Sequence, residues 1–387
     1  MLDPIYLDHN ATTPLRPELR ERYVDLLGAG LGNPSSLHGA GQQARALIDE
    51  ARERAAAALG VHEDELTFTS GGTESDNLAL LGASADARSG IACPPIEHAA
   101  VLETAMAIEQ AGMPAATIAV DAAGRVELGA IEEIGRGGSV KVLSVGAANG
   151  EVGTVQPLAE IVETARGAGF EWCHTDAVQA LGRIPLDLEG SGIDLAALSG
   201  HKIGAPVGVG LLYCRSGRHL PPRLHGGGQE HGLRPGTENV ASIDAVARAI
   251  ELAVSEREAS SRHLAELTAE LWAELRKRVD GLKLNGPTID AADRLPNTLN
   301  VTVPEVDGRM LVTRLDLNGL RVSAGSACAS GSAEPSHVLR ALGRTDEEAR
   351  ASIRLSLGAD NTRIDCQQAV DILVRTCARE RASRASE

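Results

Sequence analysis

Leu195-Ala196-Ala197-Leu198-Ser199-Gly200-His201-Lys202 carries a short apolar run into a serine, a glycine and two nitrogenous side chains. Upstream, Trp172-Cys173-His174-Thr175 ends in the same way, in Asp176-Ala177-Val178-Gln179. Working outward, Leu66-Thr67-Phe68-Thr69-Ser70 enters a glycine turn and then a helical run through Leu78 and Leu81. Val140 to Val145 reads as a buried strand, followed by a glycine-containing loop and a helix over 158–168, and Gly208 to Tyr213 is a further strand. From about residue 17 to 250, strands therefore alternate with helices, which predicts an α/β fold with a mostly parallel sheet covered by helices. In such sheets the active residues gather at strand ends, where these polar motifs stand.

A helix over about 256–279 opens a second unit, its Leu264, Leu267, Leu271 and Leu275 forming one apolar face. Leu299 to Val303 alternates like a half-buried strand, Met310 to Leu317 reads as a helix, and Ile353 to Leu357 as a strand. A last helix runs from Arg363 to about Arg379 with Thr362 as its N-cap, and the charged tail beyond it is expected to fray. The expected division is an N-terminal segment, 1–16, packing with the small domain; a large domain, 17–255; and a small C-terminal α/β domain, 256–387, carrying a loop around Cys328.

A chain of 387 residues is long enough for one large and one small core. With 43% hydrophobic and 23% charged residues it falls in the soluble globular class. Aromatics are only 2%, so Ala, Leu, Val and Ile must fill the interior. A net charge of −16 opposes direct nucleic-acid binding. Met1 to Tyr6 has no signal-peptide pattern, and no apolar run approaches the roughly 18 residues of a membrane span. A cytoplasmic protein without membrane association is expected. The six cysteines show no paired spacing, which suits free thiols in a reducing compartment and predicts no metal site.

Ser70-Gly71-Gly72-Thr73-Glu74 is either a plain strand-to-helix turn or a phosphate cradle of backbone amides, with the Thr73 hydroxyl added; Asn77 reads as structural. Asp176 and Gln179 either cap a helix or face one ligand, with the carboxylate at a pyridine nitrogen and the amide at a ring oxygen. His98, after Pro94-Pro95-Ile96-Glu97, suits stacking on a ring and proton transfer near neutral pH, although it is one of eleven histidines. Lys202 after Ser199 and His201, with Asp176 upstream, has the pattern of a lysine that forms a Schiff base with pyridoxal phosphate. Arg354, inside the apolar strand Ser352-Ile353-Arg354-Leu355-Ser356, needs a partner: a substrate α-carboxylate or a buried internal salt bridge. Cys328 lies in Ser323-Ala324-Gly325-Ser326-Ala327-Cys328-Ala329-Ser330-Gly331-Ser332-Ala333, a run too poor in bulk to bury itself. A structural cysteine prefers a core; this one is placed to visit a deep site and present a product to a partner.

Together these motifs closely resemble the cysteine desulfurases of the NifS/IscS type, within the class V aminotransferase family of fold-type I pyridoxal-phosphate enzymes. The likeness runs from Tyr6-Leu7-Asp8-His9-Asn10-Ala11-Thr12-Thr13-Pro14 through Gly226-Gly227-Gly228-Gln229-Glu230 and Arg234-Pro235-Gly236-Thr237-Glu238-Asn239 to Ser352-Ile353-Arg354. The resemblance implies a seven-stranded, mostly parallel sheet between helices in the large domain. It implies Lys202 as the cofactor anchor, Asp176 at the ring nitrogen, Gln179 at the ring oxygen and His98 over the ring. It implies a phosphate site of Gly72, Thr73, Ser199 and His201, completed by Thr237 from a second subunit of a homodimer. Asn149 and Arg354 would bind L-cysteine, with Arg354 on its carboxylate. Cys328 would take its sulfur as a persulfide, leaving L-alanine, for an iron–sulfur scaffold or another sulfur-carrier protein. One departure stands out: the family's Asn-Asn-Glu is here Asn149-Gly150-Glu151, so the second Asn, which contacts ring oxygen and substrate, is Gly150. His231 also stands where the family commonly has Arg, and Gly204-Ala205-Pro206-Val207 lacks its usual aromatic and basic residues.

Overall fold

In the computed structural model, which describes residues 4–324 and 334–384, the motif-bearing strands lie side by side in one seven-stranded sheet. Its order is Leu66–Thr69, Gly210–Cys214, Leu195–Ser199, Trp172–Asp176, Val140–Ser144, Gly90–Cys93 and Ala115–Thr117. Gly210–Cys214 runs against both of its neighbours and the other pairings are parallel. Thr69, Cys93, Ser144, Asp176 and Ser199 consequently end on one edge.

Alternation along each strand serves two cores. Ala196 and Leu198 pack on one face with Leu143, Leu211 and Ile250. Leu195 packs on the other with Val142, Trp172, Leu212 and Val101. Burial on both faces is why these strands read as unbroken apolar runs. Small aliphatics do fill the space left by the scarce aromatics, with Ala44, Ala51, Ala55, Ala247 and Ala249 all wholly buried.

The second unit is a four-stranded antiparallel sheet in the order Ser323–Ala324, Ser352–Ser356, Thr298–Thr302 and Lys283–Asn285. Leu264, Leu267, Leu271 and Leu275 pack against its Leu299, Val301, Ile353 and Leu355, as the leucine spacing predicts. The helix bearing them differs from expectation. It is one 39-residue helix, Val240–Arg278, capped by Asn239 Oδ1 accepting from Ser242 N at 3.2 Å. It passes unbroken through the expected 255/256 boundary. Its first half is rich in buried alanine, and small buried residues on several sides blur the one-face periodicity that marks the second half.

Residues 5–13 lace the two units together. Ile5–Tyr6 pairs in parallel with Leu320–Arg321, and Ser356 N donates to Leu7 O at 2.7 Å. A few residues on, Thr13 N donates to His201 O at 3.0 Å and Thr13 Oγ1 to Lys202 O at 3.1 Å. At the other end, Thr362 caps the last helix through Asp365 N, 3.2 Å from its Oγ1, and that helix runs to Arg384 rather than 379. Among the described residues, no helix is long and apolar enough to cross a membrane. Cys328 and its loop lie outside the described residues.

Candidate active site

The carboxyl edge of the large sheet opens into a cavity of about 490 Å³ that reaches across to Arg354 in the small sheet. Gly72, Thr73, His98, Asn149, Asp176, Gln179, Ser199, His201, Lys202 and Arg354 all line it. Thr237 does not: it is exposed, outside this cavity. A second cavity of about 500 Å³, walled by Arg183 and the loop ending at Pro296, contains none of the motif residues.

The strand Leu66–Thr69 turns through Gly71, at φ +156°, into the helix Gly72–Ala87. A Cβ on Gly72 would stand 2.7 Å from Val178 Cγ2, so only glycine lets this helix start so close to the Asp176 loop. The first-turn amides of a helix lack intrahelical acceptors and favour an anion. With Thr73, Ser199 and His201 beside them, the donor set fits a phosphate. Asn77 Nδ2 donates to Thr73 O at 2.9 Å, the structural part expected of it.

On the cavity floor, Asp176 Oδ1 accepts from Val178 N at 2.8 Å. Burial pushes its carboxyl up, against the pull of His98 and Lys202. Side-chain ligand atoms of Asp76, His98 and Asp176 lie within 4.8 Å of one another, close enough to share one cationic group. Asp76 is wholly buried, and burial, then Asp176 and Glu97, raise its carboxyl well above the usual range. Behind it, His174 Nε2 lies 3.3 Å from Asp76 Oδ1, and Ser144 Oγ is 2.9 Å from His174 Nδ1. Burial drops His174 to about 3, so its imidazole is neutral at physiological pH and brings Asp76 no positive charge. A cation in the cavity would add to the pull of His98 and Lys202 on Asp176.

His98 caps the helix Ala99–Gln110, its Nδ1 accepting from Ala100 N at 3.1 Å. That bond places the proton of the neutral ring on Nε2. Glu97, held by Gly146 N at 2.8 Å, is pushed up to about 8 by burial. His337 Nε2 lies 3.0 Å from its carbonyl.

Lys202 Nζ donates to the carbonyls of Asn10 and Ala11, each at 2.7 Å. Asn10 is the main lining residue to which the sequence reading gave no role. Its Nδ2 donates to Gly150 O at 2.9 Å and Thr298 Oγ1 at 2.8 Å, and its carbonyl also receives Gln179 Nε2 at 3.1 Å. Its place within the Asp8–Pro14 run was the only signal; nothing local shows that one asparagine would tie three distant segments together.

Asn149 lines the cavity, but its amide is spent on its own loop and on the loop that carries Ile96. Nδ2 donates to Ile96 O at 2.8 Å, and Oδ1 accepts from Glu151 N at 2.9 Å and Val152 N at 3.0 Å. It does not stretch into the space of the asparagine that Gly150 replaces. There is little space to fill: a Cβ on Gly150 would stand 2.7 Å from Gln179 Cδ. Arg354 bonds Asp8 Oδ1 at 2.7 Å through Nη2 and Gly150 O at 3.2 Å through Nη1, while its buried Nε has no partner among the described residues.

The Aminotransferase class-V family model matches residues 5–369. The chain is 42% identical over 374 residues to cysteine desulfurase IscS of Dictyoglomus turgidum, covering 96% of this chain and 94% of that one. A solved NifS-like protein superposes with a TM-score of 0.88 at 35% identity, covering 96% and 98% of the two chains. SspA, solved in complex with cysteine, superposes at 0.78 with 32% identity over 92% and 99%.

Proposed function

The chain belongs to the class-V aminotransferase family and is a pyridoxal-phosphate-dependent cysteine desulfurase of the IscS/NifS type with the fold-type I architecture; on that footing we propose how its own residues move sulfur from L-cysteine to Cys328. The observation that carries this reading is the convergence of Lys202, Asp176, His98 and Arg354 on one cavity from four separate segments.

When bound, pyridoxal phosphate supplies an aldehyde for an amine and a ring that draws electron density from the substrate α-carbon. Lys202 would hold it covalently. Gly72, Thr73, Ser199 and His201 would hold its phosphate, Asp176 its ring nitrogen and Gln179 its ring oxygen, with His98 over the ring. Arg354, on the cavity wall and steadied by Asp8, orients the L-cysteine carboxylate through its guanidinium charge. Asn149 serves the substrate indirectly, by shaping the loop at Gly150. The Lys202 amine takes the α-proton, and His98, with its proton on Nε2, acts as the donor.

The Cys328 thiolate then forms a bond to the substrate sulfur as the carbon–sulfur bond breaks. The bonding pair stays with carbon, which takes up protons to become L-alanine, and Cys328 is left as a persulfide. No outside oxidant is needed. Elimination supports Cys328: burial raises Cys93, Cys173 and Cys214 to about 12, and Cys366 and Cys377 to about 11, so none of them is a thiolate at neutral pH. Sequence position supports it too: Ser323, five residues before Cys328, pairs with Arg354 at the cavity wall.

This reading includes a homodimer, in which an exposed Thr237 completes the phosphate site of a second copy. It also includes a cytoplasmic location and a protein acceptor for the persulfide, an iron–sulfur scaffold or a sulfur carrier. The deciding experiment is the mass of the Cys328 peptide after the purified holoenzyme meets L-cysteine without reductant. One added sulfur with alanine in solution is expected. An unmodified Cys328 beside consumed cysteine would instead make the reaction a lyase or transaminase step.

A further inference from the structure

Arg183 is 8% exposed, and among the described residues no carboxylate lies within ion-pair distance of it. Buried guanidinium groups are ordinarily paired. This one instead spends its donors on the cofactor side of the molecule. Nη1 bonds both the side-chain oxygen of Gln179 and its carbonyl, the latter at 3.1 Å. Nη2 points at His9 O and Lys202 O, each at 3.5 Å. Burial, and then the charge of Arg354, bring its pKa down to about 10, so it stays cationic at neutral pH.

A glutamine amide can be placed either way round, and its neighbours decide which. A guanidinium only donates, so it fixes Gln179 Oε1 toward itself. The Nε2 end then faces the cavity, where it donates to Asn10 O at 3.1 Å and keeps a second hydrogen. A cofactor ring oxygen carrying negative charge only accepts, so it needs that N–H and would be repelled by the oxygen of a flipped amide.

We propose that Arg183 is a positioning residue that holds the Gln179 amide with its N–H toward the cofactor ring oxygen and ties that amide to the backbone of Lys202. The proposal rests on the reading of this cavity as the pyridoxal-phosphate site.

The test is the pH titration of the visible absorption band of the holoenzyme without cysteine. In Arg183→Met, a loosened donor and a lost positive charge leave more negative charge on the ring oxygen. The chromophore holds its proton more tightly, and the midpoint rises by about one pH unit, the worth of one charge-assisted hydrogen bond. Arg183→Lys, which keeps the charge but cannot fork, gives a smaller rise of the same sign and serves the same cycle if the methionine variant does not fold. Gln179→Ala also raises the midpoint, and adding the charge-keeping Arg183→Lys to it produces little further shift, because both act through one amide. An unmoved midpoint, or shifts that simply add, would overturn the proposal. A wild-type protein that binds pyridoxal phosphate without any such band would overturn the underlying reading instead.

Discussion

Asp8 and Arg354 stand 346 positions apart in the chain and meet at 2.7 Å, Oδ1 to Nη2. The two accounts of Arg354 that its sequence context left open, an internal salt bridge and a substrate clamp, are therefore compatible in one residue. Asp8 holds the guanidinium still while Arg354 lines the cavity. Removing the guanidinium with Arg354→Met should raise KM for L-cysteine roughly ten- to a hundredfold, the worth of a charge-assisted hydrogen bond or two. Asp8→Asn, which only loosens the orientation, should raise it less. Alanine release against cysteine concentration measures both, and an unchanged KM in Arg354→Met would remove this residue from substrate binding.

Restoring the family's asparagine at position 150 should harm this protein rather than improve it. Any Cβ there meets Gln179 at 2.7 Å, and Gln179 cannot swing aside freely because Arg183 and Asn10 hold it. Gly150→Ala and Gly150→Asn should each weaken pyridoxal-phosphate binding by about 1–3 kcal/mol, the usual cost of overpacking. Absorbance titration of the cofactor-free protein gives the affinity. Binding as tight as wild type would show that the loop yields.

Glu97 makes stability depend on pH in a definite direction. Folded, it keeps its proton up to about pH 8; its ordinary value is 4.5. Between those values the folded chain binds more protons than the unfolded one, so stability falls as pH rises. Glu97→Gln preserves the acceptor for Gly146 N and should flatten that fall. Urea denaturation of the cofactor-free protein across this interval, wild type against variant, reads the difference. Parallel curves would mean that Glu97 ionises freely.

Outside the cavity lining, Arg52 and Glu230 form a buried pair at 2.7 Å, both under a tenth exposed. Glu230 also accepts from Phe68 N at 2.8 Å, and the guanidinium lies 4.8 Å above the Phe68 ring. Arg52→Met strands a buried carboxylate and should cost about 3–5 kcal/mol. Removing both charges in Arg52→Met/Glu230→Gln should recover part of that loss. The urea midpoints of the two variants decide it.

The strands at Val140–Ser144, Trp172–Asp176 and Leu195–Ser199 were legible as short apolar runs with polar residues at the carboxyl end, a pattern that also located Asp176, Ser199, His201 and Lys202. Ala115–Thr117 and Lys283–Asn285 have no such run and went unread. What stayed hidden depends on distant partners. Asn10 acts by bonding Gly150 and Thr298, and Arg183 by bonding Gln179 and Lys202, and neither has a local pattern that differs from an ordinary polar residue. The change at Gly150 was visible, but its tight fit against Gln179 was not. The first half of the helix Val240–Arg278 escaped notice because its alanines pack on too many sides to show a single stripe.

The lacing of residues 5–13 has a consequence for synthesis. Ile5–Tyr6 pairs with Leu320–Arg321, so the earliest strand waits for a partner made more than three hundred residues later. At about 5–20 residues per second, that wait is roughly 15–60 s. Meanwhile the strands from Leu66 to Cys214 have emerged and can assemble. The late strand adds its tie to a segment that Thr13 already links to His201 and Lys202, and whose Asn10 and Ala11 carbonyls receive the lysine amine. A nascent chain thus carries its lysine long before the small-sheet wall of the pocket, with Arg354, has been made.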